Sequence, residues 1–162
     1  MQSPVDNARE KWRSQHPNVD TSPMEIVGPL KRAQALIGLA LEPFYDGAAV
    51  SATELDLMLK LHIGAEPLIA RQLAQQMARS GAAVSKALAK LERRALIERR
   101  SNPADRRAAL IVLTEEGRRT VDALFPRQLA VEATLFEGLS AQDRARIIDG
   151  LTTLVATLEK AT

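Results

Sequence analysis

Apolar residues recur at alternating steps of three and four along the chain from Met24 to Phe44. This spacing places them on one face of a helix. Pro29 falls within the first turns of that helix, so its start could lie closer to Gly28. The pattern therefore predicts one long amphipathic helix, preceded by a polar and loosely ordered extension of residues 1–22.

Further helices are predicted downstream. Ser51-Ala52-Thr53-Glu54 has the form of a capping box, in which a carboxylate accepts a hydrogen bond from the backbone N–H of the cap residue. The helix that it opens ends near Ile63, before a break that contains Gly and Pro. Pro126 must kink or break the helix that starts at Glu115. The other helices are expected at about 69–78, at 80–94 and, after a cap at Ser140, along the apolar face from Ile147 to Leu158.

Strand-like sequence is concentrated between residues 96 and 114. Leu96–Arg100 and Leu110–Leu113 are β-prone, and a polar, charged tip separates them. Thr114 stands where a helix N-cap belongs, with two glutamates in the first turn that follows. The segment predicts a two-stranded ribbon, so the fold class is mainly α with a small β-wing.

Residues 73–86, just before the ribbon, fit a helix-turn-helix. Ala74 is small where the two helices would cross. The turn position that often holds glycine is Ala78 here. Because a left-handed conformation costs a residue other than glycine roughly 1–2 kcal/mol, we expect a slightly different turn geometry. Buried contacts are expected from Leu73, Met77, Val84, Leu88 and Leu91.

Positive charge is concentrated in the same region. The net charge is only +2, but residues 79–119 hold 11 Lys or Arg against 5 Asp or Glu. A basic region on a mildly acidic body is typical of a domain that touches phosphate on one face. The predicted contacts with double-stranded DNA are Arg79, Ser80, Gly81, Ala82, Ser85, Lys86, Lys90, Arg99, Asn102, Arg106 and Arg107.

These residues would contact DNA in two ways. The second helix of the helix-turn-helix would enter the major groove, where Ser85 and Lys86 supply modest direct readout. One of Arg106 and Arg107 would enter the minor groove, while the other would pair with Asp105 to keep the wing rigid. A structural ion pair is as good an interpretation as DNA contact for either arginine.

Several classes of protein are disfavoured. The chain has no Cys and two His, and it lacks the sequence motifs of metalloproteases, serine hydrolases, dinucleotide enzymes and P-loop proteins. We therefore expect no enzyme activity, no metal and no cofactor. The longest apolar run, Ala35 to Leu41, is far shorter than the ~20 residues of a membrane span. With no export signal visible, the protein is expected in the cytoplasm, without a membrane partner.

The ribbon resembles the wing of the MarR family of bacterial winged-helix regulators. That wing has the pattern Asp, any residue, Arg, three more, aliphatic, any, Leu, Thr, two more, Gly. This chain matches it at Asp105, Arg107, Ile111, Leu113, Thr114 and Gly117. The resemblance covers nearly the full length and implies a single domain of residues 1–162, with a winged helix-turn-helix at 51–114. It also implies a homodimer joined by helices at 23–50 and 115–162, which represses transcription from a palindrome.

The N-terminal extension is similar to that of the urate-responsive, PecS-like branch of this family. In that branch a Trp of the extension, an Asp on the second helix and an Arg seven residues later hold a small aromatic acid. Trp12 and Asp56 match, but the Arg position falls on Ile63 and a further basic position falls on Ala87. A urate-like anion would therefore lack its charge partners.

A smaller effector is an alternative to urate. His62 stands beside Ile63 and could donate a hydrogen bond to a heteroaromatic acid. Related regulators of nicotinate breakdown respond to hydroxynicotinate, which would suit such a pocket. The resemblance therefore assigns ligand binding to Trp12, Asp56 and His62.

Each of these assignments has a structural alternative. Trp12 could pin the extension to the helical body, Asp56 could pair locally, and His62 gains from the helix dipole without any ligand. The apolar stripes of the end helices could fold back onto their own domain. For function, the rivals are an architectural DNA-binding dimer without an effector, a helical interaction module, and an enzyme.

Overall fold

The structure is a computed structural model that describes residues 4–161. Within this range the chain forms seven helices and three short strands. In chain order they are α1 Pro4–Gln15, α2 Met24–Tyr45, α3 Ala52–Ile63, β1 Leu68–Ile69, α4 Ala70–Gln76, α5 Gly81–Arg93, β2 Ile97–Arg100, β3 Leu110–Leu113, α6 Glu115–Leu135 and α7 Ala141–Ala161.

The N-terminal extension is not loosely ordered, contrary to the sequence-based expectation. It contains α1, which packs against α2. Arg9 on α1 forms an ion pair with Glu25 on α2, and Trp12 stacks on His16 with ring centroids 4.6 Å apart. The sequence of α1 has no continuous apolar stripe from which a packed helix could be predicted. Its position depends on its contacts with α2.

Helix α2 begins at Met24 rather than near Gly28, and it continues through both Pro29 and Pro43. A proline removes one backbone hydrogen bond from a helix but does not by itself end it when the neighbouring turns are held. Helix α6 likewise runs unbroken through Pro126.

The buried core lies between α3, α4, α5, α6 and the sheet. Its largest fully buried side chains include Leu55, Met58, Leu73, Leu88 and Ile111. Of the five residues predicted to be buried in the helix-turn-helix, four are fully buried, and Met77 is partly buried. The helix-turn-helix is therefore the centre of the hydrophobic core.

The sheet has three antiparallel strands in the order β1-β3-β2, not the two that the sequence predicts. In the additional pair, Leu68 lies opposite Ile111, and Ile69 lies opposite Leu110. Strand β1 has two residues, which is too short for an alternating pattern to show. Its pairing with Leu110 and Ile111 connects the start of the helix-turn-helix to the half of β3 that is nearer the wing tip.

The turn between α4 and α5 contains a left-handed residue despite the lack of glycine. Ala78 has a φ of 49°. The N–H of Ala78 donates to the carbonyl of Gln75, and the N–H of Arg79 donates to that of Ala74. These two bonds form a Schellman motif, which satisfies carbonyls at the end of α4 and offsets the strain at Ala78.

The base of the wing is fixed by Thr114 and Gly117. The Thr114 hydroxyl donates to the Ala95 carbonyl at 2.7 Å and accepts from the Gly117 N–H at 3.0 Å. A Cβ atom at Gly117 would lie 2.0 Å from the Leu96 carbonyl oxygen. The spacing from threonine to glycine therefore allows the start of α6 to sit directly on the backbone before β2.

Helix α7 leaves its apolar face uncovered. None of its described residues is buried, and Ser140 caps it as predicted, accepting from the Asp143 N–H at 3.0 Å. No helix in residues 4–161 is both long and apolar enough to cross a membrane. The exposed apolar side chains of α7 are Ile147, Ile148, Leu151, Val155 and Leu158.

Candidate nucleic-acid interface and effector hollow

Helix α5 presents a polar face outward, as its spacing predicts. Ser80 is the N-cap residue, and its hydroxyl accepts from the Ala83 N–H at 3.3 Å. Val84 and Leu88 point into the core. The residues predicted to read DNA from this helix and its preceding turn are all exposed, namely Arg79, Ser80, Gly81, Ala82, Ser85, Lys86 and Lys90.

The wing tip is shaped by two side chains that accept hydrogen bonds from the backbone. Asn102 Oδ1 accepts from the Ala104 N–H at 3.0 Å, and Asp105 Oδ1 accepts from the Arg107 N–H at 2.9 Å. Asp105 thus holds the tip through a backbone group, not through the guanidinium pair that the sequence suggested. The side chains of Arg106 and Arg107 are exposed at the tip.

Arg99 forms an ion pair within the protein. Its Nε lies 3.0 Å from Glu92 Oε2, so it ties β2 to α5. On the same strand, Arg100 pairs with Glu98 at 2.6 Å. Arg99 and Arg100 are therefore paired within the protein, whereas the exposed cations of the α5 face and the wing tip include Lys86, Arg106 and Arg107.

A hollow of about 560 Å³ lies beside the helix-turn-helix. Its walls combine apolar side chains with two carboxylates and a lysine, and they come from α3, the loop after it, β1 and the end of α4. The lining residues are Asp56, Leu59, Lys60, Ile63, Gly64, Ala65, Glu66, Leu68, Gln76 and Met77.

Asp56 is one of the charged residues that line this hollow. Burial raises the pKa of its carboxyl group, Arg79 opposes that rise, and Glu132 adds to it. The distance between Arg79 Nη2 and Asp56 Oδ2 is 3.8 Å. Arg79, in the turn of the helix-turn-helix, is therefore paired with a residue that lines the hollow, whereas the sequence predicts DNA contact alone for it.

A chain of hydrogen bonds connects α2 to α6 near Asp56. The Tyr45 hydroxyl donates to Gln128 Oε1 at 2.6 Å, and Gln128 Nε2 donates to Glu132 Oε1 at 2.6 Å. Burial and the carboxylates of Asp56 and Glu132 raise the pKa of Tyr45 to about 12. Tyr45 therefore remains protonated at neutral pH and serves as a donor.

Two of the three residues predicted to bind a ligand do not line the hollow. Trp12 lies on α1, 51% exposed and stacked on His16. His62 Nε2 lies 3.4 Å from Asp122 Oδ1 on α6. The structure instead places Lys60, one turn after Asp56 on α3, in the lining of the hollow, and it brings Arg79 to Asp56 through the fold. The sequence analysis assigned neither residue to the ligand, although the spacing of Asp56 and Lys60 could have indicated Lys60.

Comparison with known proteins identifies this arrangement. A model of the MarR family matches residues 50–108, from the loop before α3 to the wing tip. The chain contains a MarR-family domain.

Its relatives are MarR-type transcriptional regulators, not enzymes. The HTH-type transcriptional regulator PecS of Dickeya dadantii (strain 3937) is 25% identical over 145 residues, which is 88% of this chain and 87% of that regulator. CouR from Rhodococcus jostii RHA1, solved bound to p-coumaroyl-CoA, is 26% identical with a TM-score of 0.69, covering 80% of this chain and 91% of CouR.

CouR has also been solved as a transcriptional repressor bound to a 23-mer DNA duplex. That structure is 25% identical to this chain with a TM-score of 0.71, covering 81% of this chain and 93% of CouR. The predicted fold class, a winged helix-turn-helix in a mainly helical chain, is confirmed.

Proposed function

We propose that this MarR-type protein is a sequence-specific DNA-binding regulator that works as a homodimeric repressor. A small aromatic or heteroaromatic acid, urate-like or hydroxynicotinate-like, releases it from a palindromic operator. The observation that carries the proposal is that exposed cations lie both on the outward face of α5 and at the wing tip, within a segment that matches the MarR family.

The division of work on DNA follows from the side chains. Exposed Ser85 and Lys86 on α5 have the reach and chemistry to read base edges in the major groove. Arg106 and Arg107 extend from a tip that backbone hydrogen bonds hold in shape, which suits a minor-groove contact. A dimer would read two half-sites about one helical turn apart.

The dimer is supported by the apolar residues that one chain leaves exposed. Most of them lie on α2 and α7, and a second copy of the same helices would cover these. Those of α2 are Ile26, Val27, Leu30, Leu36 and Leu39.

The effector is assigned to the hollow around Asp56. Lys60, which lines the hollow, offers the charge partner that an acid needs and that Ile63 and Ala87 lack. Arg79, which pairs with Asp56, would offer a second one if it turned to the ligand. Leu59 and Ile63 provide apolar walls for an aromatic ring. A carboxylate that pairs with Arg79 would compete with Asp56 for it.

The test uses duplexes selected from a random-sequence pool by the wild-type protein. We expect one palindrome to be enriched and bound with a Kd of about 10⁻⁸–10⁻¹¹ M at physiological salt. Urate, 6-hydroxynicotinate and p-coumarate are then titrated into the complex. An effective acid should weaken binding roughly 5–150-fold in the wild type, and less in Lys60→Gln.

Two results would count against the proposal. Absence of any enriched sequence would reject the specific regulator. An enriched palindrome whose binding no aromatic acid weakens would leave an architectural DNA-binding dimer.

A further inference from the structure

A second polar cluster, separate from the hollow, joins the end of α5 to the start of α3. Arg94 is the C-cap residue of α5. Its Nη2 lies 3.0 Å from Glu54 Oε1, its Nη1 donates to the carbonyl of Ala49, and its Nε donates to the carbonyl of Lys90 at 3.3 Å. All three guanidinium nitrogens are thus used within the protein. We call this arrangement the Glu54–Arg94 clamp.

Glu54 is the buried side of the clamp and is only 4% exposed. Its Oε2 accepts from the Ser51 N–H at 2.8 Å and from the Ser51 hydroxyl at 3.0 Å. Burial alone would raise the pKa of Glu54, but the hydrogen bonds from Ser51 and the charge of Arg94 outweigh it and hold the pKa below its usual value. Glu54 is therefore ionised at neutral pH, and Arg94 is its counterion.

The clamp links two parts of the molecule that have different tasks. Ala49 and Ser51 lie in the loop that leads from α2 to α3, whereas Arg94 ends the helix whose outward face carries Ser85 and Lys86. Arg94 therefore ties the C-terminal end of α5 to this loop and, through Glu54, to the first turn of α3. These contacts restrict the tilt of α5 relative to α3.

We propose that Glu54 and Arg94 are positioning residues for sequence readout, which hold the tilt of α5 without touching DNA. This inference rests on the proposed DNA-binding function. Hydrogen bonds to base edges weaken steeply when the donor angle or distance changes, whereas attraction between cations and phosphates does not depend on such alignment. Loss of the clamp should therefore reduce specific binding and leave non-specific binding nearly unchanged.

The sign of the charge makes Glu54→Gln a sharp test. Removing an acidic residue from a DNA-binding protein should tighten binding to every duplex if charge alone matters. The clamp predicts the opposite for the selected palindrome. We expect Glu54→Gln and Arg94→Gln each to lower the ratio of affinities for the selected and scrambled duplexes about tenfold, comparable to one mismatched base pair.

Arg93→Gln is the matched control, because Arg93 is the exposed neighbour on α5 and the substitution removes the same charge. It should keep the ratio of affinities. The double variant Glu54→Gln with Arg94→Gln should lose less than the product of the single losses, because each single variant leaves a partner unpaired. Thermal unfolding and circular dichroism check that each variant is folded.

Hydrogen exchange without DNA tests the clamp directly. Backbone amides at residues 49–51 and 94–96 should exchange faster in Arg94→Gln and stay protected in Arg93→Gln. If Glu54→Gln does not fold, Arg94→Gln decides alone, since the Arg94 side chain is 38% exposed and its loss leaves no large cavity.

Each outcome has a clear meaning. If the wild type selects a palindrome while both clamp variants keep their affinity ratio, the positioning role is wrong and the DNA-binding function stands. If Glu54→Gln bound every duplex more tightly, Glu54 would affect binding only through its negative charge, and the inference would also be overturned. If the wild type selects no sequence, the proposed function fails together with the inference.

Discussion

Two alanines, Ala78 and Ala95, hold left-handed backbone conformations at the ends of the two helices of the helix-turn-helix. Both occupy the same place in a Schellman motif: the N–H of Ala95 donates to the carbonyl of Glu92, and the N–H of Leu96 donates to that of Leu91. Glycine adopts this conformation at much lower cost than any residue with a Cβ atom. The hydrogen bonds of the two turns therefore hold each alanine in a backbone conformation that alanine disfavours.

Replacing Ala78 with glycine should stabilise the protein. Relief of left-handed strain, about 1–2 kcal/mol, exceeds the entropy that glycine adds to the unfolded chain, so a gain of up to about 1 kcal/mol is expected. Chemical denaturation measures it. Ala123→Gly, at an exposed helical site on α6, is the control and should cost about 1 kcal/mol. A loss of stability in Ala78→Gly would contradict the strain at this turn.

At the level of elements, the sequence was most informative where local chemistry decides the structure. Ser51 with Glu54 marks the start of α3, and Thr114 with Gly117 marks the start of α6, because these residues bond to their own backbone. Strand β1 was missed because its stability comes from pairing with β3. The α5 face followed from helical spacing, whereas the hollow did not, since Asp56 meets Arg79 through tertiary packing.

A further prediction concerns the wing tip. The double variant Arg106→Ala with Arg107→Ala should bind selected and scrambled duplexes more weakly alike, because both cations are proposed to lie close to backbone phosphates. The slope of log K against log salt should become shallower by about 0.9 for each phosphate that the protein no longer neutralises. Arg118→Ala with Arg119→Ala removes the same charge from the first turns of α6, where both side chains pair with Glu115, and should keep the wild-type slope. An unchanged slope in the wing variant would exclude binding of DNA by the wing.

At the scale of the whole molecule, one chain leaves long helices incompletely covered. Most of α2, from Ile26 to Leu39, and the length of α7 expose apolar side chains, while the core is confined to the middle of the chain. A protein of this composition would bury such surfaces in an assembly. The buried residues thus lie mainly in the winged helix-turn-helix, whereas the helices proposed to join two subunits, α2 and α7, are largely exposed.

Charges placed on the apolar face of α7 should separate the proposed dimer. Leu151→Glu with Val155→Glu should give a monomer by size-exclusion chromatography with light scattering, and should bind the selected palindrome weakly. Thr153→Glu with Thr157→Glu adds the same charges to exposed residues elsewhere on the helix and should remain dimeric. A dimeric Leu151→Glu, Val155→Glu variant would show that a different surface joins the subunits.

The close packing of Gly117 against the Leu96 backbone also couples the motion of α6 to that of the hairpin. Since there is no room for a side chain between them, the first turn of α6 and the base of the hairpin must move as one body. A small rotation of α6 at its far end is thus carried without slack to the arginines at the hairpin's apex. In the proposed dimer, a change in how the two subunits meet would therefore alter where both hairpins lie along a duplex.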